Sequence, residues 1–274
     1  MSSYLAYRPL LLAMLASAMV TGCSDDEAGG ASDLIDASPL DARASLDQDS
    51  VRVTDGQGLQ DLGLQTIPLD PDRTAFALPI HREDRHQIQT SLIVGVDHDP
   101  TSDGALICRS YDGRGFPACY DGHDGTDFIV WGGFDTIDVE DVRVVAAAPG
   151  VVTRIEDGNY DRCHGDLGSG DVSCDGHPVR SNRIHIRHQD GLESRYLHLK
   201  RGSLAVDEGD VVACGQLLAL VGSSGRSAAP HLHFEVQSDD GEIIDPFATV
   251  VRGADSYWTE QSIADGMPGS VCTR

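Results

Sequence analysis

Two histidines stand two residues apart in the stretch APHLHFEVQ, residues 229–237. In a β-strand, alternate side chains lie on one face, so His231, His233 and Glu235 would share a face opposite an apolar row. The two imidazoles would then be about 7 Å apart. Imidazole is a common metal ligand and also the side chain that titrates nearest neutral pH. The stretch therefore predicts one metal ligand with a neighbouring imidazole in reach of the bound metal's chemistry.

Two other stretches contain similar side chains. His123 and Asp127 are four residues apart in DGHDGTDFIV, just before an apolar, strand-like run, and both are ordinary zinc ligands. His198 lies in SRYLHLK, where strand alternation would place it on the same face as Tyr196. Taken singly, the first stretch also fits a surface loop and the second a strand with a hydrogen-bonded histidine.

Considered together, the three stretches predict a catalytic zinc centre with one Zn²⁺ per chain. His123, Asp127 and His233 give three protein ligands and leave a fourth position for water. This is the composition of catalytic rather than structural zinc sites. His198 and His231 then remain without a ligand position and are suited to proton transfer.

Short β-strands must position these residues. From residue 142 onward, apolar runs alternate with turns that contain glycine or proline. We predict strand, turn and strand in VRVVAAAPGVVTRIED, a hairpin in SNRIHIRHQDGLESRYLHLK, and another pair of strands in DEGDVVACGQLLALVGSSG. The cysteine-bounded CHGDLGSGDVSC is expected to be a surface loop. Because no segment after the N-terminal apolar run keeps a 3.6-residue apolar period, the domain is predicted to be mostly β.

The order H-x-x-x-D, Y-x-H-L and G-x-S-G-R-S-x-x-P-H-L-H-F-E-V resembles the lysostaphin/LytM family of peptidoglycan metalloendopeptidases. The resemblance covers about residues 120–247 and includes VVAAAPGVV and the closing IIDPF. It implies a compact antiparallel β domain, a two-sheet sandwich, with zinc in a groove walled by loops. It also implies the zinc ligands already named and a catalytic pair formed by His198 and His231. WGGFDTIDVED and the CHGDLGSGDVSC loop are longer than in a minimal member, which leaves substrate preference open.

The resemblance implies a zinc endopeptidase that hydrolyses amide bonds in peptidoglycan peptides, during cell-wall remodelling or lysis. An alternative is a non-catalytic envelope lipoprotein of this family that activates a peptidoglycan amidase, although such proteins have lost metal ligands and this chain retains all five site residues. A biotinyl- or lipoyl-type carrier is excluded, because it needs a lysine at the hairpin tip and Lys200 is the only lysine. The bond cleaved, the division of labour between the catalytic histidines and any protein regulators stay open.

The domain organisation follows from composition. Residues 1–22 are predicted to be a lipoprotein signal peptide, because an apolar run ends in VTGC, which matches the lipobox around an acylated Cys23. Residues 23–75 are acidic and poor in large apolar side chains, as in a flexible linker. We predict the peptidase domain over 76–251 and a disulfide-tethered C-terminal tail over 252–274.

Acylation of Cys23 would anchor the protein in the cell envelope, facing the periplasm. Ser24 rather than aspartate follows, which favours the outer membrane if the host has two membranes. The net charge of −24 argues against nucleic acid as a partner, so the expected partners are a peptidoglycan peptide and the anchoring membrane.

Cysteine usage fits export. The chain has seven cysteines. Apart from Cys23, the cysteines are Cys108, Cys119, Cys163, Cys174, Cys214 and Cys272. An even number in an exported chain favours disulfides. Sequence proximity favours Cys108–Cys119 and Cys163–Cys174, which leaves Cys214–Cys272 to hold the tail. Four further histidines are expected to be exposed: His164, His177, His185 and His188.

Overall fold

The computed structural model of the chain describes residues 73–97, 122–165, 171–247, 256–261 and 267–272. Several predicted features lie outside these residues: the signal peptide, almost all of the acidic linker, Cys23, and the pair Cys108 and Cys119. Within the described ranges, no helix is long and apolar enough to cross a membrane.

The described residues are mostly β, as predicted. The strands are β1 (Ile88–Val94), β2 (Thr126–Val130), β3 (Arg143–Val145), β4 (Gly150–Glu156), β5 (His164–Gly165), β6 (Val172–Ser173), β7 (Arg183–Arg187), β8 (Glu193–Leu197), β9 (Val211–Val212), β10 (Leu217–Leu220) and β11 (His231–Gln237). The helical elements are a 3₁₀ turn at Arg85–Gln87 and the four-residue helix α1 (Phe134–Ile137).

Seven strands form one antiparallel sheet in the order β1-β2-β11-β8-β7-β4-β9. β11 lies inside this sheet, between β2 and β8, and His233 is opposite Asp127 on β2 and Leu197 on β8. The three stretches that carry the predicted site are therefore neighbours in space, although they are far apart in the sequence.

Strand pairing is only partly as expected. The hairpin of β7 and β8 is confirmed, and its turn lies at Gln189–Gly191. In the two other predicted pairs, the two strands are not partners of each other: β3 does not pair with β4, and β9 does not pair with β10. β3 pairs with β10 in a separate two-stranded sheet, whereas β4 pairs with β7 and β9. The turn at Pro149 and Gly150 therefore sends the chain from one sheet to the other.

The hydrophobic core lies against one face of the seven-stranded sheet. Leu232, Phe234 and Val236 of β11 are buried there, on the face opposite the histidines. Trp258, from beyond residue 251, is in the same core and packs against Phe76 from the other end of the domain, with ring centroids 6.4 Å apart. Segments near both ends of the folded region thus complete one core.

Both predicted disulfides among the described residues are present. Cys163–Cys174 closes the short hairpin of β5 and β6, and Cys214–Cys272 ties the C-terminal segment to the loop before β10. Both bonds fit the oxidising compartment that the cysteine count predicted.

The expectation of four exposed histidines is only half correct. His164 and His177 are exposed, but His185 and His188 are buried. His188 is held between the Pro149 carbonyl and the Ser194 hydroxyl, both at 2.8 Å. His185 lies on β7, in the interior of the sheet, and burial lowers its pKa to about 4. Other segments of the folded chain cover these two side chains, and the residues next to them in the sequence do not indicate this burial.

Candidate metal centre

Three donor atoms converge where β2 meets β11. His123 Nε2 lies 3.1 Å from Asp127 Oδ1 and 3.2 Å from His233 Nδ1, and the last two atoms are 2.8 Å apart. All three residues are buried. The structure thus brings together the three residues that the sequence predicted as ligands.

This triangle of donors fits a zinc ion. Ligands at zinc–nitrogen distances in a tetrahedral arrangement are about 3.3 Å apart, so a slight expansion of the observed triangle would accept the ion. Two imidazoles and one carboxylate are also a usual catalytic donor set. A second group of candidate donors, Asp124, His233 and Glu235, overlaps the first at His233, where Asp124 faces the nitrogen that is not in the triangle.

The outer partners of the two histidine ligands point the correct nitrogen at the triangle. His123 Nδ1 lies 2.6 Å from the Gly95 carbonyl, which can only accept, so the proton is on Nδ1 and Nε2 keeps its lone pair. For His233 the outer partner is on the other nitrogen: Nε2 faces Asp124 Oδ1 at 3.4 Å, and Nδ1 is the atom in the triangle, 2.8 Å from Asp127 Oδ1. Such outer hydrogen bonds orient metal-binding histidines and fix their tautomer.

A glycine between the ligands is required by close packing. A Cβ at Gly125 would lie 2.5 Å from His233 Nε2 and 2.8 Å from the Phe234 carbonyl oxygen. Any side chain there would push β2 away from β11 and open the triangle of donors.

His198 and His231 lie beside the triangle. Their ring centroids are 4.5 Å apart, and His231 Nε2 is 3.5 Å from Asp127 Oδ1. The His198 ring is 5.8 Å from that of His233. Each ring donates its Nδ1 proton to a backbone carbonyl, of Ser224 at 2.6 Å and of Ala229 at 2.8 Å. Each therefore keeps an unprotonated Nε2, which can accept a proton.

His198 reaches the site by an unexpected route. Tyr196 faces the core, where its hydroxyl accepts the Ala147 amide at 2.9 Å, so the prediction that Tyr196 and His198 share a face is wrong. β8 ends at Leu197, and His198 has a φ of 65°, in the left-handed region that non-glycine residues seldom adopt. This break in the alternation turns His198 onto the side of the metal ligands.

The four side chains of the centre differ in charge: Asp127 and His233 are ionised, whereas His198 and His231 are neutral. Burial opposes ionisation of Asp127, but His123, His231 and His233 outweigh it and hold its pKa well below the ordinary value. For His233, Asp124 and Asp127 overcome burial and raise the pKa to about 10. Burial lowers the pKa values of His198 and His231, and neighbouring histidines lower that of His198 further. The last two are therefore neutral at pH 7.

Residues 123–246 match the sequence profile described as Peptidase family M23. The matched segment begins at the first candidate ligand and includes the other four site residues. Over these residues the chain is similar to peptidase family M23.

Individual relatives match shorter parts of the M23 segment. The chain is 45% identical over 60 residues to "Peptidoglycan DD-endopeptidase ShyB" of Vibrio cholerae, which is 22% of this chain and 14% of that protein. It is 40% identical over 70 residues to "DD-carboxypeptidase/endopeptidase Mpg" of Neisseria meningitidis, 26% of this chain and 15% of that one. It is 42% identical over 55 residues to "Lysostaphin" of Staphylococcus staphylolyticus, 20% and 11% of the two chains. The matches thus span a small part of each relative.

Sequence reasoning missed the outer partners of the four histidines. Three of them are backbone carbonyls, of Gly95, Ser224 and Ala229, for which no side chain gives a signal. Asp124 did have a signal, because a carboxylate stands directly after His123 in the sequence.

Proposed function

We propose that this protein is a zinc-dependent endopeptidase that hydrolyses amide bonds in peptidoglycan peptides. The observation that carries the proposal is the convergence of His123, Asp127 and His233 beside two neutral imidazoles with free Nε2 atoms. The match to peptidase family M23 supports the reaction class, and relatives named as peptidoglycan endopeptidases support the substrate class.

The donor set would hold the ion through two imidazole nitrogens and one carboxylate oxygen. Bound zinc would supply a Lewis acid that polarises the scissile carbonyl and makes water a nucleophile near neutral pH. His123 presents Nε2 to the site, because the Gly95 carbonyl holds its Nδ1. His233 is protonated between Asp124 and Asp127, so it would release its Nδ1 proton on binding the ion while Asp124 continues to face Nε2.

The two remaining histidines handle protons. One neutral ring, of His198 or His231, accepts a proton at Nε2 from the attacking water. The other, also unprotonated at Nε2 in the resting site, takes up a proton from solvent and then donates a hydrogen bond to the developing oxyanion or protonates the leaving amine. Their carbonyl partners, Ser224 and Ala229, stabilise the charge that each ring gains when it takes up a proton.

Digestion of purified sacculi by the mature chain in detergent tests the proposal. We expect soluble muropeptides with new amino and carboxyl termini, identified by mass spectrometry. Chelation should abolish their release, and about one equivalent of zinc should restore it. Release that survives exhaustive chelation would contradict zinc dependence, and the absence of any release would favour the non-catalytic alternative.

We also propose that the chain is held in the cell envelope by acyl groups on Cys23, with its peptidase domain facing the periplasm. The lipobox-like VTGC supports the anchor, and the two disulfides of the folded region are consistent with export. Ser24 favours the outer membrane in a host that has two.

A further inference from the structure

One loop holds both of the histidines that are proposed to transfer protons. Residues 223–229, here called the serine loop, connect β10 to β11. The Ser224 carbonyl accepts the Nδ1 proton of His198, and the Ala229 carbonyl accepts that of His231. The positions of both rings therefore depend on the conformation of this one loop.

The serine loop is bonded at both ends to the disulfide hairpin, here meaning residues 163–165 and 172–174. The Cys163 amide donates to the Ser223 carbonyl at 2.8 Å, and the Ser223 hydroxyl donates back to the Cys163 carbonyl at 2.6 Å. Further along, the Gly165 amide donates to the Ala228 carbonyl at 2.9 Å. Backbone bonds thus tie both ends of the serine loop to β5 and the residue before it.

A line of buried hydroxyls continues from the hairpin to the site. Ser223 Oγ lies 2.8 Å from Ser227 Oγ, which is 3.2 Å from His231 Nδ1. Both serines are fully buried. A displacement at Cys163 would therefore be transmitted through Ser223 and Ser227 to the His231 ring, because each of these buried groups is in hydrogen-bond contact with the next.

The hairpin is braced on its other side. The Arg162 guanidinium pairs with both oxygens of Asp138, at 2.6 and 3.0 Å, and lies over the Phe134 ring at 4.8 Å. Phe134 begins α1, within the stretch WGGFDTIDVED that is longer than in a minimal member of the family. The disulfide hairpin and the WGGFDTIDVED stretch thus contact each other beside the site.

The disulfide supplies a covalent closure for strands that are too short to hold the hairpin together by themselves. β5 and β6 have two residues each, with little buried surface, and an isolated two-stranded hairpin is at best marginally stable. Cys163 and Cys174 are both buried, and Cys174 Sγ lies 3.5 Å from the Gly225 carbonyl of the serine loop. The covalent closure therefore lies against the loop that holds the histidines.

We propose that the Cys163–Cys174 disulfide is a positioning clamp for His198 and His231. It fixes the hairpin, the hairpin fixes the serine loop, and the loop carbonyls fix both rings in the tautomer that leaves Nε2 free. The expected loss of turnover when the disulfide is opened rests on the proposed function. The expected loss of fixed positions for the two histidine rings does not rest on it.

The kinetic test compares two double variants of the mature chain in detergent. Cys163→Ser with Cys174→Ser opens the clamp, whereas Cys214→Ser with Cys272→Ser opens a disulfide with no contact to the serine loop among the described residues. Release of muropeptides is measured over a range of substrate concentrations, beside zinc content. The clamp variant should keep its zinc and its KM while kcat falls about 10- to 100-fold, since misplacement of catalytic groups by about 1 Å has such effects. The control should keep its kcat.

The structural test needs no enzymatic activity. In long-range ¹H–¹⁵N spectra of histidine-labelled protein, His198 and His231 should each show one tautomer with the proton on Nδ1. In the clamp variant, these two rings should show mixed or broadened signals, while the control should retain the wild-type signals. A clamp variant with wild-type ring signals overturns the proposal, even if the wild-type protein proves inactive.

If the clamp variant does not fold, Ser223→Ala provides the same test with the disulfide intact. It removes the hydroxyl that joins Cys163 to Ser227, and the His231 signals should broaden while kcat falls. Ser203→Ala is the matched control, because the Ser203 hydroxyl also bonds a backbone carbonyl, that of Lys200 at 2.7 Å, but does not contact the serine loop. Equal effects of the two serine variants on His231 overturn the proposal.

Discussion

At the scale of single residues, the partner of one ring nitrogen decides what the other can do. A neutral imidazole has one donor and one acceptor nitrogen, and a carbonyl oxygen can only accept. The carbonyls of Gly95, Ser224 and Ala229 therefore place the proton of their histidines on Nδ1. At His233, Asp124 faces Nε2 and Asp127 faces Nδ1, so the ring is charged and would release its Nδ1 proton to bind a metal ion. In the proposed mechanism, the same side chain would thus serve as ligand or as base according to its surroundings.

His231 and His233 should not be equivalent, although they share one face of β11. His233→Ala should lose both zinc and activity. His231→Ala and His198→Ala should keep zinc while turnover falls by roughly 100-fold or more, as for removal of a general acid–base. Zinc content measured beside muropeptide release checks this. If His231→Ala loses zinc while His233→Ala retains it, the ligand assignment is reversed.

Asp124 should strengthen zinc binding without contacting the metal. Asp124→Ala removes the acceptor of the His233 Nε2 proton, so zinc affinity should fall by about 10- to 100-fold. Competition with a chromogenic chelator measures this affinity directly. Asp135→Ala is the control, because Asp135 is an exposed carboxylate on α1. The same affinity in both variants would show that Asp124 is a surface charge only.

At the scale of elements, the register of three strands assembles the centre. His233 is opposite both Asp127 and Leu197, so β11 shares the ligands with β2, and the end of β8 delivers His198. A slip of one residue in β11 would move both histidines into the core and Leu232 and Phe234 out of it. The buried apolar row of β11 therefore fixes the register that the metal site needs.

Close approach of β2 and β11 should make Gly125 intolerant of substitution. Gly125→Ala should separate the ligands and abolish zinc binding, with a loss of about 1–3 kcal/mol in the free energy of unfolding from overpacking. Zinc titration and urea unfolding measure the two effects. Gly241→Ala is the control, since Gly241 has a φ of 87° but no atom near its would-be Cβ. It should lose some stability and keep its zinc.

At the scale of the whole molecule, distant segments of the chain complete one core. The Phe76 amide donates to the Tyr257 carbonyl, and the Thr259 amide donates to the Phe76 carbonyl. These bonds place Trp258 against the aromatic side chains of the central strands, with its ring 5.6 Å from that of Phe234. Folding therefore depends on contacts that join residues far apart in sequence.

The Cys214–Cys272 disulfide should contribute more to stability than Cys163–Cys174. It closes the longer segment, 58 residues against 11, which in the chain-entropy model corresponds to about 4 rather than about 3 kcal/mol. Urea unfolding of the two double serine variants, at one fixed zinc concentration, measures the difference. A larger loss from opening Cys163–Cys174 would contradict this order.

The envelope location should depend on Cys23. Cys23→Ala should remove the protein from the membrane fraction, because acyl chains supply the binding energy for a stable anchor. In a host with two membranes, Ser24→Asp should keep the protein membrane-bound but move it from the outer to the inner membrane. Immunoblots of fractionated cells check both variants. If Cys23→Ala leaves the distribution unchanged, the anchor lies elsewhere.

The sequence by itself determined the elements and most of the side chains of the centre. Period-two alternation in HLHFEV separated the histidines from the apolar row, and the spacing of His123 and Asp127 just before a strand marked the other ligands. Turn residues predicted the β7–β8 hairpin, and proximity predicted the Cys163–Cys174 pairing. These are local signals, written in the types and spacing of neighbouring side chains.

Only the tertiary structure decided which strands are neighbours and which atoms face the site. β3 and β4 separate into different sheets, and His188 is buried, because pairing and burial depend on distant segments. His198 faces the ligands because of one left-handed residue at the end of β8. The acceptors on Gly95, Ser224 and Ala229 are backbone carbonyls, which every residue type has. Their roles are therefore set by where the folded chain places them and not by which side chains it has.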